Sequence, residues 1–344
     1  MNESNLVRVI SSIFLVSAVS SWAVTFALVN RLKRLKAGQI IQEDAPERHQ
    51  SKAGTPTMGG VGFILCSIIA VLLFVCYSAG DRECSIRFFY LIAIILAYMF
   101  IGAVDDWLTI KPRGRVRGLS SKVKFLAQLI AAAAFVGGLA AAGELDTSVA
   151  FFGMDLELGW VYYMFALLFL TGMANFVNLT DGLDGLAAGL SAVLFAVSVV
   201  YCAVFVKVEP STAGVVYTLA ALAGGCAAFL WHNCHPARVF MGDTGSLALG
   251  IAVPAAAILL RIEVFVIIAG LVFVAEGLSS AVQWAVFKYT RIRTGTGRRV
   301  FKMSPLHHHF ELCGYPEQAI VVRFWVAGVF CSAAALVSAA LSNL

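Results

Sequence analysis

The sequence predicts an all-α polytopic membrane protein of about ten transmembrane helices, folded as one integral domain over residues 1–344. Three observations predict it. Hydrophobic residues make up 60% of the chain and charged residues 13%, with a mean hydropathy of +0.86, a balance foreign to water-soluble domains. Apolar runs of about 20 residues recur from end to end, each able to cross about 30 Å of hydrocarbon as a helix that satisfies its own backbone. Between the runs, Lys and Arg collect in alternate loops.

The first run, 7–30, is followed rather than preceded by its cations, Arg31, Lys33, Arg34 and Lys36, the reverse of a cleaved leader, so it is read as a retained span. The next runs are 58–78, 87–104, 121–141, 160–178, 185–206, 213–231, 245–262, 264–287 and 319–342. Six cations fall in 31–57, where Arg48 and Lys52 join the first four, and six in 105–124: Lys111, Arg113, Arg115, Arg117, Lys122 and Lys124. Arg238 adds one, and 288–323 holds Lys288, Arg291, Arg293, Arg298, Arg299, Lys302 and Arg323. Of the 25 cations this leaves Arg8, Arg82, Arg87, Lys207 and Arg261 for the other side. The count makes the basic loops cytoplasmic and puts both termini outside. The net charge of +5 is thus concentrated on one face, which attracts anionic head groups and anionic substrates. Membrane spans interrupt it, which argues against nucleic acid. The basic stretch 288–318 is expected to hold an amphipathic piece lying on the membrane.

Eight cysteines, most of them inside apolar runs and without a CxxC pair, form neither a disulfide framework nor a zinc motif. His232, Cys234 and His235 lack the second half of a metal site.

Acids at the ends of membrane spans are costly and therefore informative. Asp105 and Asp106 close the third run, Asp181 and Asp184 follow the fifth, and Asp243 lies between the seventh and eighth, all at the cytoplasmic boundary. On the other side Asp81, Glu83, Glu144, Asp146, Asp155, Glu157 and Glu209 read as solvated loop charges. Asn175, Asn178, Asp181 and Asp184 recur every third position, so they share one face wherever the segment is helical, and Gly182 and Gly185 permit a break. Adjacent residues on a helix diverge by about 100°, which gives Asp105 and Asp106 different jobs. Asp243 lies among Gly242, Thr244, Gly245 and Ser246, a composition suited to a turn whose N–H groups meet phosphate. An oxygen-rich cluster of this kind suits Mg²⁺, held by one or two carboxylates together with water and substrate phosphates. Consecutive His307, His308 and His309 cannot converge on one ion in a helix, so contact with phosphate or sugar is expected of them.

The segments 52–60, 102–106, 175–189, 233–250 and 301–311, spread over nearly the whole chain, resemble the polyprenyl-phosphate N-acetylhexosamine-1-phosphate transferase superfamily. The triple histidine makes the resemblance closest to its phospho-N-acetylmuramoyl-pentapeptide transferase branch. The resemblance implies ten helices in a bacterial inner membrane, both termini periplasmic, a cytoplasmic active site and Mg²⁺ as cofactor. It implies transfer of phospho-MurNAc-pentapeptide from UDP-MurNAc-pentapeptide to undecaprenyl phosphate, giving lipid I and UMP for peptidoglycan. By matching position, Asp243 is the metal carboxylate and Asp105 faces the lipid phosphate with Asp106 beside it; these three form the catalytic set. Lys52, Thr57, Asn178, Asp181, Asp184, Asn233, Phe240 and Gln283 are implied nucleotide-side contacts, with Phe240 stacking on uracil. His307 and His308 reach the sugar diphosphate, and Lys124, Asn175 and His309 complete the substrate-binding set. Membrane lipids and a second copy in a homodimer are the remaining implied partners. Two other readings stay open, a sibling transferase using UDP-GlcNAc and a transporter, although transport sites lie near the midplane and these carboxylates gather at one surface.

Overall fold

The computed structural model describes residues 3–34, 52, 54–78, 85–111, 118–151, 154–206 and 208–342. In chain order its elements are α1 (Glu3–Arg34), α2 (Gly60–Ser78), α3 (Ile86–Ile110), α4 (Ser121–Ala141), the strands β1 (Ser148–Phe151) and β2 (Met154–Glu157), then α5 (Trp160–Thr180), α6 (Leu186–Phe205), α7 (Pro210–Asn233), α8 (Gly242–Leu260), α9 (Glu263–Ala269), α10 (Leu271–Thr294), α11 (Leu306–Leu312) and α12 (Glu317–Ser342). Nine described helices are long and apolar enough to cross a membrane, and Gly60–Val75 is a shorter apolar helix. Each of the ten expected runs therefore finds a helix, and the chain is a multi-pass membrane protein.

α7 and α8 are apolar on all sides and buried nearly throughout, as a helix at the centre of a bundle must be. Small residues let their neighbours approach. A Cβ on Gly60 would collide with Gly245, and one on Gly102 with the Asp243 carbonyl, so α2 and α3 cross α8 at backbone contact. That crossing brings the acids of α3 to the first turn of α8.

The charges sort to two ends of the bundle. At one, Lys124 of α4 meets Asp105 of α3 and Asp243 of α8. At the other, Arg87 of α3 meets Glu144, and Arg261 meets Asp146 and Asp155. Those last acids are ion-paired rather than merely solvated, which corrects the reading of them as ordinary loop charges.

Two further expectations are corrected. Asp105 and Asp106 do not close a span, because α3 continues to Ile110. The run 264–287 is not one helix: it turns at Gly270, which caps α9 and opens α10. α10 then runs 24 residues with Arg291 and Arg293 in its last turn, about 36 Å at helical rise, so its basic end outreaches about 30 Å of hydrocarbon. The stretch 288–318 holds the end of α10, an irregular loop and α11, which buries His307 and Glu311 inside the protein and leaves Leu312 exposed. Lys36, Arg48, Asp81, Arg82, Glu83, Arg113, Arg115, Arg117 and Lys207 lie outside the described residues.

Candidate active site

α8 opens with Gly242 in the left-handed conformation (φ 73°), and its first N–H groups turn toward α3. Asp106 Oδ1 accepts the Asp243 N–H (3.0 Å), and Oδ2 accepts the Thr244 N–H (3.0 Å) and hydroxyl (2.6 Å). One buried carboxylate thus caps a helix from outside, at the positive end of its dipole. Two N–H groups of this turn, expected to meet phosphate, are thereby taken by Asp106. Thr57 completes the corner, since a Cβ on Gly242 would sit 2.9 Å from its hydroxyl.

Asp105 points elsewhere, as its divergence on the helix requires. Its Oδ1 accepts the Leu119 N–H (2.6 Å) and its Oδ2 the Lys124 ammonium (3.3 Å). Lys124 also donates to Asp243 Oδ2 at 2.6 Å, while Asp243 Oδ1 accepts from Asn178 Nδ2 at 2.9 Å. The same amide donates to Ser246 Oγ (2.8 Å). Two carboxylates from α3 and α8 are therefore held together by one lysine of α4, and the one on α8 is also aligned by an asparagine of α5.

Asp181 follows in the turn from α5 to α6. Burial, then the negative charges of Asp243, Asp106 and Asp184, push its carboxyl well above the ordinary carboxylate range.

A second cluster lies beside the first. Lys52 Nζ donates to Asp184 Oδ1 (2.8 Å) and Glu317 Oε1 (2.6 Å). Asp184 Oδ2 accepts the Ala237 N–H (3.1 Å) and faces His235 Nδ1 (3.1 Å). Burial alone would lower the Lys52 pKa, but the hydrogen bonds and charges of Asp184 and Glu317 outweigh it and raise it. Asn233 ties the turn to the neighbouring loop: its Oδ1 accepts the Gly185 N–H (3.1 Å) and its Nδ2 donates to the Val239 carbonyl (2.9 Å). Phe240 exchanges backbone hydrogen bonds with Pro56 and Gly59, which leaves its ring half-buried.

α11 and α10 form the third wall. Fully buried His307 sits with its Nδ1 3.1 Å from Glu276 Oε2 and donates its backbone N–H to Oε1 (3.2 Å). Among the described residues its Nε2 has no partner, and it faces Gly182, which has no Cβ to block it. Burial lowers the His307 pKa against the opposing pull of Glu276. His308 Nδ1 lies 2.7 Å from Glu311.

Not every expected residue joins these walls. Asn175 donates to Gln128 Oε1 (2.7 Å) and the Thr171 carbonyl (2.7 Å), one turn deeper in the bundle. Gln283 accepts the Val300 and Phe301 N–H groups (2.9 and 3.0 Å) and donates to the Phe301 carbonyl (3.1 Å), fastening the loop after α10. His309 Nδ1 accepts the Lys302 N–H (3.1 Å), which turns that ring to the same loop. Sequence reasoning missed Glu276 and Glu317, gave His235 no role, and read Thr244 and Ser246 only as part of a turn meeting phosphate. Glu276 could have been found, since an acid deep in an apolar run signals a partner; His235 and Glu317 are joined to Asp184 only by folding.

Among the described residues, three groups able to hold a metal ion lie within 4.8 Å of one another at Asp184, His235 and Glu317. The Lys52 ammonium already supplies positive charge at that cluster. Lys124 does the same between Asp105 and Asp243; what distinguishes that pair is that it is all oxygen, a donor set that suits a hard divalent cation completed by phosphate oxygens and water.

The chain matches the glycosyl transferase family 4 model over residues 88–261 and the phospho-N-acetylmuramoyl-pentapeptide-transferase signature 1 over 52–64. A phospho-N-acetylmuramoyl-pentapeptide-transferase of Shouchella clausii is 43% identical over 303 residues, covering 87% of each chain. Those of Heliobacterium modesticaldum (42% over 319 residues; 92% of this chain and 93% of the relative) and Geobacillus kaustophilus (41% over 331 residues; 96% of both) are similar. The signature begins at Lys52 and ends in α2, and the longer match contains Asp105, Asp106, Lys124, Asn178, Asp181, Asp184 and Asp243, so the first cluster and all of the second but Glu317, though not the histidine wall, lie inside the segments matched by a family to which this chain belongs: the phospho-N-acetylmuramoyl-pentapeptide-transferases of glycosyl transferase family 4.

Proposed function

We propose that the protein transfers phospho-MurNAc-pentapeptide from UDP-MurNAc-pentapeptide to undecaprenyl phosphate in a bacterial inner membrane, releasing UMP and forming lipid I. The observation that carries this reading is Lys124 held between Asp105 and Asp243, in a chain of this family. A lysine is a mobile point charge, able to leave two carboxylates for a diphosphate. The positive-inside count places this end of the bundle in the cytoplasm, where the nucleotide substrate is found, and both termini outside.

In the proposed reaction an oxygen of the lipid phosphate attacks the phosphorus bonded to the sugar, the bond from that phosphorus to the bridging oxygen breaks, and UMP departs. A phosphate oxyanion is a competent nucleophile near neutral pH, so direct attack needs little activation; Asp105 orients it and accepts its proton where one is present. Lys124 turns onto the diphosphate oxygens and stabilises charge that develops on them. Lys52, Asp184 and Asn233 bind the nucleotide, with Phe240 against the uracil, and Thr57 supports the corner at Gly242. Asp181 presents a carboxyl that holds its proton. His307 and His308 close the sugar side. The metal is Mg²⁺, held by Asp243 with Asp105 alongside; when bound it neutralises charge on the diphosphate.

UMP release by the purified protein, given both substrates and Mg²⁺, tests the reading. Turnover with the muramoyl donor, lost in Asp243→Ala and absent with UDP-GlcNAc, is expected. Turnover with UDP-GlcNAc alone would overturn the substrate, and an aspartyl-phosphate trapped from nucleotide substrate alone would overturn direct attack.

A further inference from the structure

At the end opposite the carboxylates, β1 and β2 pair antiparallel with Val149 opposite Leu156, Ala150 opposite Asp155 and Ser148 opposite Glu157. Directly opposed residues share a face of the ribbon. Val149, Leu156 and Met154 therefore line one face, and Ser148, Asp155 and Glu157 the other.

The polar face is fastened to the body. Arg261, left-handed at the C-cap of α8 (φ 57°), donates to Ser148 Oγ and, at 2.7 Å, to Asp155 Oδ1, with Asp146 Oδ2 at 3.2 Å. The base of the ribbon is fastened too. Leu158 donates its N–H to the Thr147 carbonyl (3.1 Å) and packs against the core, and only Gly159 separates it from α5. The ribbon has little freedom to turn over.

Its apolar face is left open. The outer strand β2 is exposed along its whole length: on the apolar face Val149 of β1 is buried, but Leu156 opposite it is 56% exposed and Met154 is 66% exposed. An antiparallel ribbon standing in water covers its apolar side. Along the chain β2 is followed, through Leu158 and Gly159, by an outward stripe of α5, Trp160, Met164 and Leu168, spaced by four residues and 79%, 56% and 68% exposed. α5 is one of the helices able to cross a membrane, so that stripe faces lipid.

We propose that Met154 and Leu156 lie in the lipid interface beside α5, making the hairpin a membrane-contacting surface whose partner is the bilayer itself. Trp160 then sits at the boundary between hydrocarbon and head groups, where indole rings are favoured, and the Arg261–Asp155 pair lies on the water side. Two side chains are far too small a patch for a stable interface with a second copy, which needs about 800 Å² per partner.

Nitroxides attached to Met154→Cys, Leu156→Cys and Glu157→Cys, in a cysteine-free parent reconstituted into phosphatidylcholine liposomes, test this. Collision with oxygen should exceed collision with a water-soluble nickel chelate at 154 and 156, and the order should reverse at 157. Nickel-favoured collision at all three would overturn the proposal. Dipolar broadening with low access to both reagents would also overturn it, in favour of a second copy. If the cysteine-free parent does not fold, peroxide oxidation of Met154 in the natural chain gives the same reading: protection in liposomes is expected, and oxidation at the rate of a free peptide would refute it.

Discussion

The two ends of this bundle fasten their charges with different cations. Away from the site, arginines hold acids: Arg87 binds Glu144, and Arg261 binds Asp146 and Asp155. At the site, beside histidines that face Asp184, Glu276 and Glu311, acids are held by lysines, each shared between two carboxylates: Lys124 by Asp105 and Asp243, Lys52 by Asp184 and Glu317. Guanidinium forks lock planar partners, whereas an ammonium on four methylenes exchanges them readily. One end is built to stay as it is, and the other to trade its internal partners for a ligand. The site also carries an acid, Asp181, made costly to ionise by burial among other acids, a cost a purely structural end would not keep.

The largest effect expected is on stability. Asp106→Ala orphans two N–H groups and a hydroxyl at the buried start of α8, which should cost about 3 kcal/mol, read as a lowered melting temperature; an unchanged melt would sink the capping role. Next, Lys124→Arg keeps the charge but locks the pair in arginine fashion. UMP release should fall about 100-fold with the melt preserved, and undiminished turnover would erase the distinction drawn between the two ends.

A smaller effect concerns pH. The His307 pKa is lowered in the fold from its ordinary 6.5, so the unfolded chain binds more protons. Stability is then complete above about 6.5 and is lost as the pH falls toward the folded value. His307→Gln should flatten that acid limb. For Asp181 the sign is opposite, because the folded carboxyl holds its proton above the ordinary 3.8. Stability declines as the pH rises from there toward the raised value, and Asp181→Asn should melt higher than the parent at neutral pH while losing turnover. The smallest effect belongs to the far end: Arg261→Gln, at a half-exposed pair, should shift stability by about 1 kcal/mol or less and leave UMP release unchanged.

Much of this contrast was legible in the sequence. The ten runs, the sorting of cations and the gathering of Asp105, Asp106, Asp181, Asp184 and Asp243 follow from composition and helical period, which are local. The break at Gly270 did not show, because one glycine in an apolar run reads the same whether the helix bends or not. The capping of α8 by Asp106 was hidden for another reason: its acceptor and donors are separated by 137 residues, and the crossing that joins them depends on Gly60, Gly102 and Gly245 together. Asn175 kept the three-residue rhythm of its neighbours yet met Gln128, since period fixes a face but not the depth at which a partner waits. Glu276 was an acid in plain view within a span.

The bond between Asp106 and the first turn of α8 makes the site a vise with one fixed jaw. Asp105, Asp243, Lys124 and Asn178 stand on four long helices, two of them in backbone contact at Gly102. Asp181 and Asp184 stand in the turn between α5 and α6, and Lys52 lies outside the long helices. A molecule that fills the first side must arrive already shaped to it, while the second can be adjusted around what comes, so compounds that differ at their phosphate-like end should be told apart far more sharply than those that differ at the base.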